Sequence, residues 1–88
     1  MPRYIIERNF GTLTPEQLQE GGRITNAVLA GMPDVVWVKS YVSYSEGKIY
    51  CEYMAPNPEA VLEHARRCGI PADRISEVSL EISPEMFV

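Results

Sequence analysis

The chain has 88 residues, 45% of them hydrophobic and 23% charged, and a formal net charge of -4. That composition excludes disorder, and the length suits one domain, residues 1–88, with a single modest core. The acidic balance, with no basic run beyond Arg66-Arg67, argues against a nucleic-acid partner, and no apolar run approaches the about 20 residues of a membrane span.

Arg3 to Asn9 alternates at short period and carries β-branched and aromatic residues, which predicts a first strand with Tyr4 and Ile6 on one side and Ile5, Glu7 on the other. Thr14-Pro15-Glu16-Gln17 opens a helix: Thr14 caps it, Pro15 suits the first helical position, and Gln17 completes a capping box. Leu18, Thr25, Val28 and Leu29 share one face of that helix, and Gly31 followed by Met32-Pro33 stops it. Gly21-Gly22 interrupts the pattern at a cost of about 1 kcal/mol per Gly relative to Ala. Close packing on a sheet, a bend, or a bound group near the backbone would each account for the pair.

Val35 to Tyr44 and Lys48 to Ala55 form a hairpin turned by Ser45-Glu46-Gly47. Asn57 caps a second helix, Pro58 opens it and Gly69-Ile70-Pro71 closes it. Ile75 to Ile82 alternates as a last strand, ended by Pro84. The order β-α-β-β-α-β with two right-handed crossovers predicts an α+β, ferredoxin-like sandwich: a four-stranded antiparallel sheet with both helices on one face.

Strict alternation puts Val36, Val38, Val42, Ile49, Cys51, Tyr53, Val78, Leu80 and Ile82 under the helices. The bare face then carries Ile5, Trp37, Tyr41, Tyr50 and Met54 with Glu7, Lys39, Glu52 and Glu77. So much aromatic surface calls for a cover, and self-association into a dimeric α+β barrel, hence a homodimer, is the expectation. A slip of one residue in any strand would exchange these faces.

Two polar groups of side chains follow. His64 stands beside the stripe Val61, Leu62, Ala65, Cys68 of the second helix, above Ser40 and Cys51 on the sheet. Imidazole and thiolate suit Zn, Ni or Cu(I), and a thiolate beside an imidazole also suits a nucleophile; the bland alternative is a hydrogen-bonded histidine with the cysteines as small core residues. On the other face Glu7, Glu52 and Glu77 fall on adjacent strands. Brought together in a barrel they would need protonation, pairing with Arg8 or Lys39, or a cation. A rival class is a small enzyme, an isomerase or cofactor-free oxygenase, with one of these glutamates as general base in an aromatic pocket containing Trp37 and Tyr41. No HExxH, nucleophile elbow, phosphate loop or CxxC pair is present. Cys51 and Cys68, without an export signal in MPRYIIER, point to free thiols and a cytoplasmic protein.

The segments RYIIER, WVKSYVS, KIYCEYMAP, EAVLEHARRCGIPADRI and SEV together resemble a family of small bacterial ferredoxin-like proteins, largely of unknown function, whose described representative binds nickel. The resemblance spans nearly the whole chain and rests on Glu7, Arg8, Trp37, Ser40, Tyr41, Cys51, Tyr53, His64, Asp73 and Glu77. It implies a cytoplasmic dimer of βαββαβ subunits with a nickel site, and assigns no ligand. Residue chemistry makes His64 the first ligand candidate, followed by Cys51, Glu7 and Glu77. Trp37, Ser40, Tyr41, Glu52 and Tyr53 are the expected pocket residues.

Overall fold

The architecture comes from a computed structural model that describes residues 1–88. The elements are β1 (Arg3–Asn9), α1 (Pro15–Leu29), β2 (Val36–Ser43), β3 (Lys48–Met54), α2 (Pro58–Cys68) and β4 (Arg74–Glu77), followed by one 3₁₀ turn at Pro84–Phe87. Their boundaries follow local chemistry. The Thr14 hydroxyl accepts from the Gln17 backbone N–H while the Gln17 side chain accepts from Thr14 N–H, satisfying two of the helix's orphan donors. Asn57 Oδ1 does the same for Ala60 N–H in α2, and Gly69, left-handed at φ 69°, ends it.

The strands pair antiparallel in the spatial order β2-β3-β1-β4, the arrangement of the ferredoxin-like fold. Cross-strand partners share a face, so Tyr4, Ile6 and Arg8 of β1 lie with Tyr53, Cys51 and Ile49 of β3. This side forms the core, where Tyr4, Ile6, Cys51 and Tyr53 meet Val35, Ala55 and Val61. Only 12 of 88 residues are buried, so much apolar surface stays outside. No helix is long and apolar enough to cross a membrane.

Three sequence expectations change. First, β2 has a bulge between Trp37 and Lys39: Trp37 pairs with Tyr53 and Lys39 with the next residue, Glu52, so Val38 is the extra residue. A bulge shifts alternation by one. Trp37 therefore lies on the helix side, while Val36 pairs with Met54 on the bare side and Val38 is 40% exposed. Second, β4 sits one residue out of the expected phase. Glu77 pairs with Tyr4 and so lies on the helix side, exposed at its rim. Asp73 sets that register: its N–H donates to Glu7 O at 2.9 Å and its carboxylate accepts from Asn9 N–H at 2.6 Å. Third, pairing stops after Val78 N–H reaches Arg3 O, because β1 has no residue left to pair beyond Pro2, which lacks an N–H. Leu80 and Ile82, expected under the helices, are 73% and 61% exposed. Leu62 also faces outward, half exposed.

Candidate functional site

Arg8 is the largest fully buried side chain. It continues the Tyr4, Ile6 alternation onto the helix side. Its Nε donates to Cys51 Sγ at 3.4 Å and its Nη1 to the Pro71 carbonyl at 2.6 Å, and the guanidinium lies 5.7 Å from the centre of the Tyr53 ring. Nη2 has no partner, and no carboxylate forms an ion pair with Arg8. A buried cation without a counter-charge is costly, because nothing replaces the water it gave up.

The bulge brings the indole of Trp37 into the same row. Its Nε1 donates to Ser40 Oγ at 2.9 Å, and Ser40 Oγ donates to Cys51 Sγ at 2.8 Å. A continuous line of donors, Trp37 to Ser40 to Cys51 with Arg8 on the far side, thus runs across three strands under the helices. Burial drives the Tyr53 hydroxyl well above the usual phenol range; the Arg8 charge opposes this, too weakly to cancel it.

His64 is fully buried on α2, its ring centre 5.3 Å from that of Tyr53. Nε2 lies 3.4 Å from Cys68 Sγ, one turn along the same helix, and Nδ1 has no hydrogen-bond partner. Burial, the largest cause, lowers the His64 pKa; the Thr25 backbone opposes this and the Arg8 charge adds to it. Burial raises the Cys68 thiol, against smaller effects from the Thr25 hydroxyl and Arg8. The imidazole is therefore neutral near pH 7 and the thiol protonated.

Above this polar floor a cavity of about 760 Å³ opens between α1 and the sheet. Trp37, Ser40, Cys51, Tyr53 and Arg8 form its sheet side, and Gly21, Gly22 and Thr25 part of its helix side. Tyr41 and Glu52 lie on the bare face, as alternation predicts, beside Tyr50 and Ile5 respectively, and so outside this cavity. The three glutamates do not converge. Glu52 pairs with Arg3, Glu7 reaches Lys48 at 3.7 Å, and Glu77 lies on the other side of the sheet. None is buried and none lines the cavity; the carboxylates that do line it, Glu16 and Glu20, are exposed on α1, Glu20 paired with Arg23.

A metal fits this chain poorly. No three His, Cys, Asp or Glu side chains come together in a way that could hold an ion. His64 and Cys68 supply two donors, and the positive charge of Arg8 acts on both. Cys51, Glu7 and Glu77, the other ligand candidates, do not complete a set with them. Sequence reading overlooked Arg8 as a cavity residue and treated it as a partner for the glutamates. The signal was there in the period-two spacing of Tyr4, Ile6 and Arg8.

Comparison with known proteins places this arrangement. The structure of SCO4226 from Streptomyces coelicolor A3(2) superposes with a TM-score of 0.80 at 27% identity, covering 91% of this chain and 99% of that one. No curated protein matches the chain. The family model described as nickel responsive protein SCO4226-like matches residues 4–78, from the first core tyrosine to the end of β4 pairing. The chain belongs to the SCO4226-like family of nickel-responsive proteins.

Proposed function

We propose that this chain is a nickel-binding protein that works as a homodimer in the cytoplasm. Membership of a nickel-responsive family across residues 4–78 carries the reading. The pair to examine first is His64 with Cys68, since a metal needs neutral imidazole and burial already favours that form. Two donors are too few for nickel(II), which takes imidazole, carboxylate and water together, so the remaining positions fall to solvent or to a second copy.

The bare sheet face supports the second copy. Ile5, Val36 and Tyr41 are exposed there, Tyr41 at 60%. Leu80, Ile82 and Phe87 of the segment after β4 are also exposed, each at 61% or more. Burying such surface is the main drive to association. Free thiols at Cys51 and Cys68 accord with a reducing compartment.

Untagged protein titrated with nickel by calorimetry, with elemental analysis of the purified material, tests the metal. Saturable binding that disappears in His64→Ala is the expected result. Unchanged affinity in that variant would move the site to the carboxylates of the bare face, and no binding at all would end the proposal. Light scattering should give a mass near twice 9.9 kDa, falling towards one copy in Tyr41→Glu, where a charge enters the apolar face.

A further inference from the structure

The cavity between α1 and the sheet has features that nickel binding does not use. α1 rests on α2 and fully buries only Thr25. Its midpoint is Gly21-Gly22, yet close packing does not require either glycine. A Cβ at Gly21 would meet nothing within 4 Å, and one at Gly22 only the Trp37 ring at 3.9 Å. Gly21 thus faces open space and Gly22 is no closer to the sheet than ordinary contact with Trp37. Below them Arg8 lines the cavity, 1% exposed, with Nη2 unpartnered and no carboxylate paired to it. Leu13, Leu18, Ile24, Val42 and Ile49 add apolar wall, while Glu16 and Glu20 stand at its exposed α1 side, away from water-excluded Arg8.

We propose that this cavity is a binding site for a hydrophobic monocarboxylate, its apolar body between α1 and the sheet and its carboxylate paired with Arg8. The volume lies within the usual range of about 300–1,000 Å³ for small-molecule sites. The occupant supplies what the protein lacks at both ends. A carboxylate accepts from Nη2 in a charge-assisted hydrogen bond and neutralises the buried guanidinium. An aliphatic or aromatic body fills the gap left by the two glycines and covers Trp37. Of the His64–Cys68 pair only Cys68 reaches this cavity wall, so the two sites adjoin without sharing Arg8, beside which a cation would be repelled.

The test uses decanoate, its neutral counterpart decanol, and 2-naphthoate as an aromatic acid, all in the presence of EDTA. Trp37, the only tryptophan, reports binding by its fluorescence. At least one acid should bind saturably, and decanoate should bind about tenfold or more tighter than decanol, the effect of one hydrogen bond to a charged group. Gly21→Leu, which places a side chain in the cavity, should abolish binding while the protein remains folded by circular dichroism. Arg8→Met, similar in volume but neutral, should bind decanol as before and lose the preference for the acid. Equal binding of decanoate and decanol to the native protein would overturn the proposal, as would a preference that survives Arg8→Met, or binding that survives Gly21→Leu. Failure of both acids to saturate would overturn it too. Should Arg8→Met not fold, the acid–alcohol comparison and Gly21→Leu still decide.

Discussion

α2 buries Val61, His64 and Ala65 against the sheet, whereas α1, with 15 residues to its neighbour's 11, fully buries only Thr25. Both helices are capped and both begin with proline, so local propensity does not separate them. What differs is the inward stripe. α2 presents branched and ring side chains that reach the sheet; α1 presents Gly21 and Gly22 over the cavity. One helix therefore closes the core, and the other roofs a cavity. A helix that packs little contributes little stability, so α1 is where a small domain can accommodate a ligand.

The sharpest way to break the contrast is to put a charge in each helix. Val61→Asp leaves an unpaired carboxylate in the core and should cost about 3–5 kcal/mol, enough to unfold much of the protein. Ile24→Asp, at the half-open face of α1, should cost far less, because water reaches the new group. Urea unfolding of both variants checks the difference; equal losses would mean that α1 is as firmly packed as α2.

The next effect belongs to α2 alone. His64 is the only histidine and its pKa is lowered by burial. The folded protein then prefers the neutral ring. Its contribution is complete above the ordinary value of about 6.5 and is lost as pH falls towards the lowered value, with a slope of at most about 1.4 kcal/mol per pH unit. Urea midpoints between pH 7 and 5 should decline in the native protein and stay flatter in His64→Gln. Parallel curves would place the lost stability on other groups.

Capping tests the helices at equal chemistry. Asn57→Ala should cost about 1 kcal/mol, seen as a lower thermal midpoint. Thr14→Ala should cost less, since fraying of the loosely packed α1 forfeits fewer tertiary contacts. The smallest effect has the opposite sign. Gly21→Ala should stabilise by about 0.5–1 kcal/mol, because helix propensity improves and the new methyl meets nothing. A fall in melting temperature would mean that the gap under α1 closes in solution.

Much was legible from local order in the chain. The capping box at Thr14 and Gln17, Asn57-Pro58 and Gly69 marked both helices, because caps depend on residues within one turn of each other. The hairpin, the strand order and the inward run Tyr4, Ile6 followed from period and connectivity. Ser40 and Cys51 came out on the helix side as alternation requires, and they do meet, at 2.8 Å.

The misplaced residues share one cause. Trp37 and Glu77 lie on the side opposite to that expected, and in each case the strand's phase is set by hydrogen bonds to another segment. A bulge at Val38 lets the indole of Trp37 reach Ser40, and no local pattern announces it. Asp73 locks β4 to Asn9 and Glu7 across the sheet, which moves Glu77 away from the other two glutamates. The sequence by itself determined the elements, their order and the ends of both helices, since these depend on neighbours along the chain, whereas β4 stops at Glu77 where β1 runs out. Only the tertiary structure decided which face each functional side chain occupies, because a one-residue change of register reverses every face at little local cost.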